Sequence, residues 1–169
     1  MIAYADAVTA DGRELAEVAK RAFTETFGTL YRAEDLSRFI DEAFGAGGLP
    51  SQIDDPAFAV RLARDDGRIV GFAKIGPVVF PGDWGPGDIE LHQLYVLGGW
   101  HGEGVGPALM DWVIATARAR GYDRMVLSVF VDNLRAQRFY ARYGMREIGS
   151  YEFRVGEQID DDRIWALAL

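Results

Sequence analysis

Cysteine is missing from all 169 residues. Its absence excludes disulfides, a thiolate nucleophile and zinc–thiolate sites. Histidine is nearly missing too: His92 and His101 are the only imidazoles, too few for a multi-histidine metal centre, so no metal is expected. No apolar run approaches the roughly 20 residues of a membrane-spanning helix. The N-terminus also lacks the basic-then-apolar pattern of a secretory leader, which makes the cytoplasm the expected compartment and a membrane an unexpected partner. Positive charge is in deficit, since 18 Lys and Arg against 26 Asp and Glu give a formal charge of −8. A nucleic-acid binder normally presents a basic face, so nucleic acid is not an expected partner. An acidic surface instead concentrates cationic ligands, although solubility alone also accounts for such a balance.

There is no repeat, low-complexity tract or linker to divide the chain. Hydrophobic residues at 49% and charged residues at 26% suit one soluble globular domain over residues 1–169. Ile2–Val8 reads as a first strand. Asp11-Gly-Arg-Glu14 resembles a capping box, with Leu15, Val18, Ala19 and Ala22 following at helical spacing. Leu36, Phe39, Ile40 and Ala43 mark a second helix, and Gly45–Pro56 an exposed loop. Phe58–Ala63, the turn Asp65-Asp-Gly67 and Ile69–Ile75 form a hairpin. Pro77–Gly87 is a loop and Ile89–Leu97 a strand. Val105, Leu109, Trp112, Val113 and Thr116 line one helix face, ended by Gly121. Met125–Val131 fits a buried strand, and a helix runs from about Asn133 to Tyr143. Arg146–Val155 and Arg163–Leu169 close the chain as strands joined by Gly156–Asp162. The order β-α-α-β-β-β-α-β-α-β-β implies an α/β sandwich around one mixed, partly parallel sheet with helices on both faces.

Two clusters carry chemistry. In His101-Gly-Glu-Gly-Val-Gly106, between a strand and a helix, Gly102, Gly104 and Gly106 bare the backbone. Peptide N–H groups at the positive end of a helix dipole can then converge on a phosphate-bearing ligand. A mononucleotide cradle is disfavoured, because neither a Walker lysine nor a dinucleotide fingerprint with its acidic ribose ligand accompanies the loop. The second cluster is Asp132-Asn-Leu-Arg-Ala-Gln-Arg-Phe-Tyr-Ala-Arg-Tyr-Gly-Met145. Together with Leu94-Tyr-Val96 and the glycine loop, it resembles the GNAT superfamily of acetyl-CoA-dependent N-acyltransferases. That family carries (Gln/Arg)-x-x-Gly-x-(Gly/Ala) on its pyrophosphate loop and Asn-x-x-Ala-x-x-(Phe/Leu)-Tyr-x-x-x-Gly on a later helix. The resemblance is strongest over residues 57–150. Glu25-Thr-Phe, Glu42-Ala-Phe, Ile89–Val96 and the acidic tail after Val155 look like the bacterial spermidine/spermine N-acetyltransferases.

The resemblance implies a GNAT-type fold, acetyl-CoA as cosubstrate, a small amine as acceptor and a homodimer. It assigns the backbone of Leu94, Tyr95 and Val96 to the pantetheine arm, and His101, Gly102, Glu103, Gly104, Val105 and Gly106 to the pyrophosphate. Asn133 would touch pantetheine, although Asn is also a favoured helix N-cap. Tyr140 matches the tyrosine that protonates the coenzyme A sulfur, and Glu90 the glutamate that serves some members as base. As alternatives, Tyr140 could be a core aromatic, Glu90 a solvated strand carboxylate, and His92 a substitute base. Simple alternation puts Glu90, His92 and Leu94 on one strand face and Leu91, Gln93 and Tyr95 on the other, unless a bulge intervenes. Tyr31, Asp83, Trp84 and Tyr151 are candidates for gripping a cationic acceptor.

Departures from the family pattern are His101 for Gln or Arg, Pro107 without an N–H, and Met145 for Phe. Glu157, Asp160, Asp161 and Asp162 could attract a polyamine, but such a run more often forms a solvated hairpin turn. With no cysteine to carry an acyl group, transfer would be direct. A GNAT enzyme for another amine (amino acid, drug or protein) and a non-catalytic coenzyme A-binding module remain the alternatives.

Overall fold

The computed structural model describes residues 1–169. Seven strands and four helices follow the expected order: β1 (Ala3–Asp6), α1 (Gly12–Phe27), α2 (Ala33–Phe44), β2 (Ala59–Asp65), β3 (Arg68–Gly76), β4 (Asp88–Val96), α3 (Val105–Ala119), β5 (Arg124–Phe130), α4 (Leu134–Arg142), β6 (Arg146–Val155) and β7 (Gln158–Ala168). The strands form one sheet in the order β1-β2-β3-β4-β5-β7-β6. Only β4 and β5 run parallel, joined by α3. The other neighbours are antiparallel, so the sheet is mixed and mostly antiparallel.

Each face of the sheet is covered by the helices whose apolar period suits it. On α1 the buried positions Leu15, Ala19, Ala22 and Phe23 form one stripe. Leu15, Ala19 and Phe23 join Tyr31, Phe44, Leu49, Phe72 and Val155 to build the core on one face. On α3 the stripe is Val105, Leu109, Met110, Val113 and Ala117, packed on Ile75, Ile89, Leu91, Met125, Leu127 and Val129 of the other face. Phe139, Tyr140 and Tyr143 of α4 pack against that second core.

Two irregularities mark β4. Parallel pairing with β5 covers only Asp88–Arg124, Ile89–Met125 and Glu90–Val126, after which the strands part. Opposite β3, Lys74 pairs with Gln93 but Ile75 with Leu91, so His92 is an extra residue, a bulge. The bulge reverses the alternation. Ile89 and Leu91 pack toward α3, and beyond it so do Leu94 and Val96, while Tyr95 joins the core under α1 and α2. Glu90 therefore shares a face with Tyr95, not with Leu94 as simple alternation would have it.

Three local expectations are corrected. The first strand shrinks to Ala3–Asp6. No capping box forms at α1: the Asp11 carboxylate takes the Val8 N–H at 2.9 Å and Arg64 at 2.6 Å, and Glu14 accepts from the Ile69 N–H at 2.8 Å. Most consequentially, β7 begins at Gln158, not Arg163, so the three aspartates lie inside a strand.

Candidate active site

A cavity of about 1170 Å³ runs along the gap between β4 and β5, bounded by α1, α2, α4, the glycine loop and the β6–β7 hairpin. Its two ends differ in chemistry.

At one end stands the glycine loop. Gly102 and Gly104 have φ of 88° and 80°, a region that side-chain-bearing residues avoid, while a Cβ on either would meet nothing within 4 Å. Backbone angle, not crowding, therefore demands glycine there. The loop leads into α3 at Val105, whose first-turn N–H groups have no intrahelical acceptor. Pro107 occupies that turn and contributes no donor. His101 does not point its ring freely: Nε2 lies 2.7 Å from the Val96 carbonyl and Nδ1 2.9 Å from Arg135 Nη1. A carbonyl only accepts, so Nε2 carries the proton and Nδ1 accepts from the guanidinium. Arg135, in the first turn of α4, thereby brings a positive charge to the loop. Glu103 is exposed beside this end.

In the middle, Tyr140 lines the cavity from α4, and burial pushes its phenol above the ordinary range. Asn133 caps α4, its Oδ1 accepting from the Ala136 N–H at 3.2 Å, and the residue lines the cavity. Opposite, β4 from Gln93 to Val96 is paired only toward β3, which leaves its other edge without a strand neighbour. Glu90 is 6% exposed. Its Oε2 accepts from the Val79 N–H at 2.8 Å. Burial raises its carboxyl to about 7, against the pull of that N–H and of Lys74. His92 is held by the Pro77 carbonyl at 2.9 Å and approaches Glu90 to 3.5 Å. Burial and Lys74 lower it to about 3, so it is neutral at pH 7.

The far end is acidic. Asp160 and Asp162 are 4% and 7% exposed and both line the cavity. Tyr31 donates its hydroxyl to Asp160, and Gln158 Nε2 donates to the same carboxylate at 3.1 Å. Burial and Asp160 raise Asp162 to about 7, opposed by the Ser128 hydroxyl. Tyr151 donates to Ser128 Oγ at 3.2 Å and is itself pushed up to about 12 by burial. Phe80 stacks on Tyr151 at 5.5 Å. The outward-facing acids behave differently: Asp161 pairs with Arg163 at 2.8 Å and Glu157 with Arg32 at 3.3 Å.

Of the residues singled out from sequence, Glu90, Leu94, Tyr95, Val96, His101, Gly102, Gly104, Gly106, Asn133, Tyr140, Tyr31 and Tyr151 line this one cavity. Val105 is fully buried beneath it. Asp83 and Trp84 do not line it. Asp83 is exposed, and Trp84 lies behind Phe80, bonded to its carbonyl at 2.9 Å with Arg124 over its ring. Sequence reasoning overlooked Arg135, Ser128 and Phe80. It also favoured a solvated turn for the aspartates, two of which face inward. Period-two alternation through Asp160, Asp162 and Ile164 was the available signal.

This geometry sets the chain beside known proteins. The sequence profile of the acetyltransferase (GNAT) family matches residues 13–145. The chain belongs to the GNAT acetyltransferase family. An uncharacterized N-acetyltransferase of Mycobacterium tuberculosis is 39% identical over 159 residues, covering 94% of this chain and 98% of that one. The aminoalkylphosphonate N-acetyltransferase of Salmonella typhimurium is 27% identical over 132 residues, 76% of this chain and 84% of that one. Among solved structures, PaiA N-acetyltransferase from Thermoplasma acidophilum, in complex with coenzyme A, superposes with a TM-score of 0.83 at 19% identity over 100% of this chain and 99% of that one. The protein is thus a GNAT N-acetyltransferase, an acyltransferase. No helix in it is long and apolar enough to cross a membrane. The bared loop backbone, Arg135 and the open edge of β4 are a donor set suited to a diphosphate followed by an amide-bearing arm.

Proposed function

We propose that this GNAT enzyme transfers the acetyl group of acetyl-CoA to a primary amine of a small polyamine, directly and within a ternary complex. The supporting observation is a single cavity that joins the bared loop backbone at one end, past Tyr140 and the buried Glu90 in the middle, to the buried carboxylates Asp160 and Asp162 at the other. Coenzyme A in the structurally similar PaiA supports the donor. The resemblance to spermidine/spermine acetyltransferases supports the acceptor.

Acetyl-CoA supplies the acyl group as a thioester. The loop amides and Arg135 hold its phosphates, and Asn133 and the open β4 edge hold the arm. A β4 N–H polarises the thioester carbonyl as an oxyanion hole does. Alkyl amines have pKa values of roughly 10 and arrive protonated. Glu90, titrating near 7, accepts that proton directly or through water. Tyr140, kept protonated by burial, donates toward the sulfur as negative charge develops there.

The test is thiol release from acetyl-CoA with purified protein against putrescine, spermidine, spermine, amino acids, aminoglycosides and an aminoalkylphosphonate, at pH 7 and 8.5. Turnover confined to polyamines is the expected result. Turnover confined to another amine would keep the chemistry and discard the polyamine. Coenzyme A binding with no turnover on any amine would favour a binding module.

A further inference from the structure

Neither the acyl donor nor proton removal uses Asp162, yet the fold maintains it at a cost. Its carboxyl is 7% exposed, faces the cavity and meets no Lys, Arg or His. The titratable groups around it are Asp160 and Asp161 on its own strand, Tyr31 ahead of α2, Tyr95 on β4, and Tyr151 on β6, which also feels Glu90. All are acids. A buried carboxyl among acids disfavours its own ionisation and lowers stability where it is ionised. Such groups persist where a ligand supplies the missing charge.

Register places it relative to the reaction. Glu90 is level with Val126 of β5, and Asp162 with Phe130, four residues further along that strand. At about 3.3 Å per residue the two backbone positions are offset by about 13 Å along the strand direction, which sets the two side chains at different levels of the cavity. Two acidic groups at different levels of one cavity suit a flexible chain with nitrogens at both ends, not a compact monoamine. An α-amino acid or aminoalkylphosphonate would bring an anion toward Asp160 and Asp162.

Resting on the acetyl-transfer reading above, we infer that Asp162, backed by Asp160, is the specificity-determining residue for the acceptor. It binds a second ammonium and so selects linear di- and polyamines over monoamines. Tyr31 and Gln158 act as positioning residues, because their bonds hold Asp160 in place.

The test uses the isosteric Asp162→Asn variant with two readouts. The first is kcat/KM for 1,4-diaminobutane relative to n-butylamine. The wild type should prefer the diamine, and the variant should lose that preference at least tenfold, mainly through KM. The second is thermal unfolding at pH 5 and pH 8. A carboxyl raised from 3.8 to about 7 contributes stability that is present below about pH 4 and lost as pH rises through 7. The variant should therefore gain Tm over wild type, and gain more at pH 8. An unchanged diamine preference overturns the inference. So does a variant less stable than wild type at pH 8, which would mark Asp162 as structural. Should wild type acetylate neither amine, the polyamine reading of the acceptor fails separately. Calorimetry of the two amines then decides: a dication preference abolished in the variant sustains the inference, and no preference overturns it.

Discussion

The two ends of the cavity are built by opposite means. At the glycine loop, ligand-facing donors are mostly main chain, and the one added charge is Arg135 held by His101. At the acidic end, the groups are side chains brought from a loop, β4, β5, β6 and β7. A backbone cradle needs little from each residue beyond absence of a side chain and a permitted φ, so it survives as a compact motif. A side-chain pocket needs each carboxylate aimed and buried, which only the assembled sheet can do. The comparison also explains a division of labour. The first end offers mainly the fixed dipoles of backbone amides, whereas Glu90 and Asp162, both near 7, tie the second to protonation.

Substitutions can break this contrast selectively. The largest expected effect is from Tyr140→Phe at the junction, which should lower kcat tenfold or more, about 1.4 kcal/mol per decade, with coenzyme A affinity by calorimetry nearly unchanged. Normal turnover would remove Tyr140 from proton donation. Gly104→Asp attacks the loop alone, placing a carboxylate against phosphate at a φ of 80°, which Asp tolerates better than most. Acetyl-CoA affinity should fall roughly tenfold while amine affinity holds; equal affinity would mean that phosphate binds elsewhere.

Glu90→Gln attacks the acidic side. Because the base must be ionised, wild-type kcat/KM should carry an inflection near pH 7 that the variant lacks, with losses of severalfold at pH 8. A uniform loss that keeps the inflection would indicate a structural glutamate. The smallest effect belongs to Arg135→Gln: a few-fold weaker coenzyme A binding whose salt dependence is shallower than that of wild type, as expected when one partly screened charge is removed. An unaltered salt dependence would separate Arg135 from the phosphates.

Much of the frame was legible from the chain. Leu15, Ala19 and Ala22 at helical period, the Asp66-Gly67 turn with its positive φ, and the apolar run Met125–Val131 each followed local rules. The glycine loop and the helix from about Asn133 to Tyr143 were legible because their spacings are properties of contiguous segments. Misreadings arose where distant partners competed for the same groups. Asp11 and Glu14 were drawn from a local cap to Arg64 and Ile69. Trp84 was drawn to Phe80 and away from the cavity. Gln158–Asp162, poor in strand propensity, was extended by pairing with Val155–Tyr151.

The amino-acid order by itself determined the succession of elements, the absence of thiol chemistry, the acidic balance and the glycine-bared helix entrance, because each depends on composition or on neighbours a few residues apart. Only the tertiary structure decided that β4 bulges at His92 and parts from β5. It alone joined Arg135 to His101 and turned Asp160 and Asp162 inward while Asp161 faces Arg163. Those outcomes depend on strand register and on the burial of charge, which segments far apart in the chain settle together.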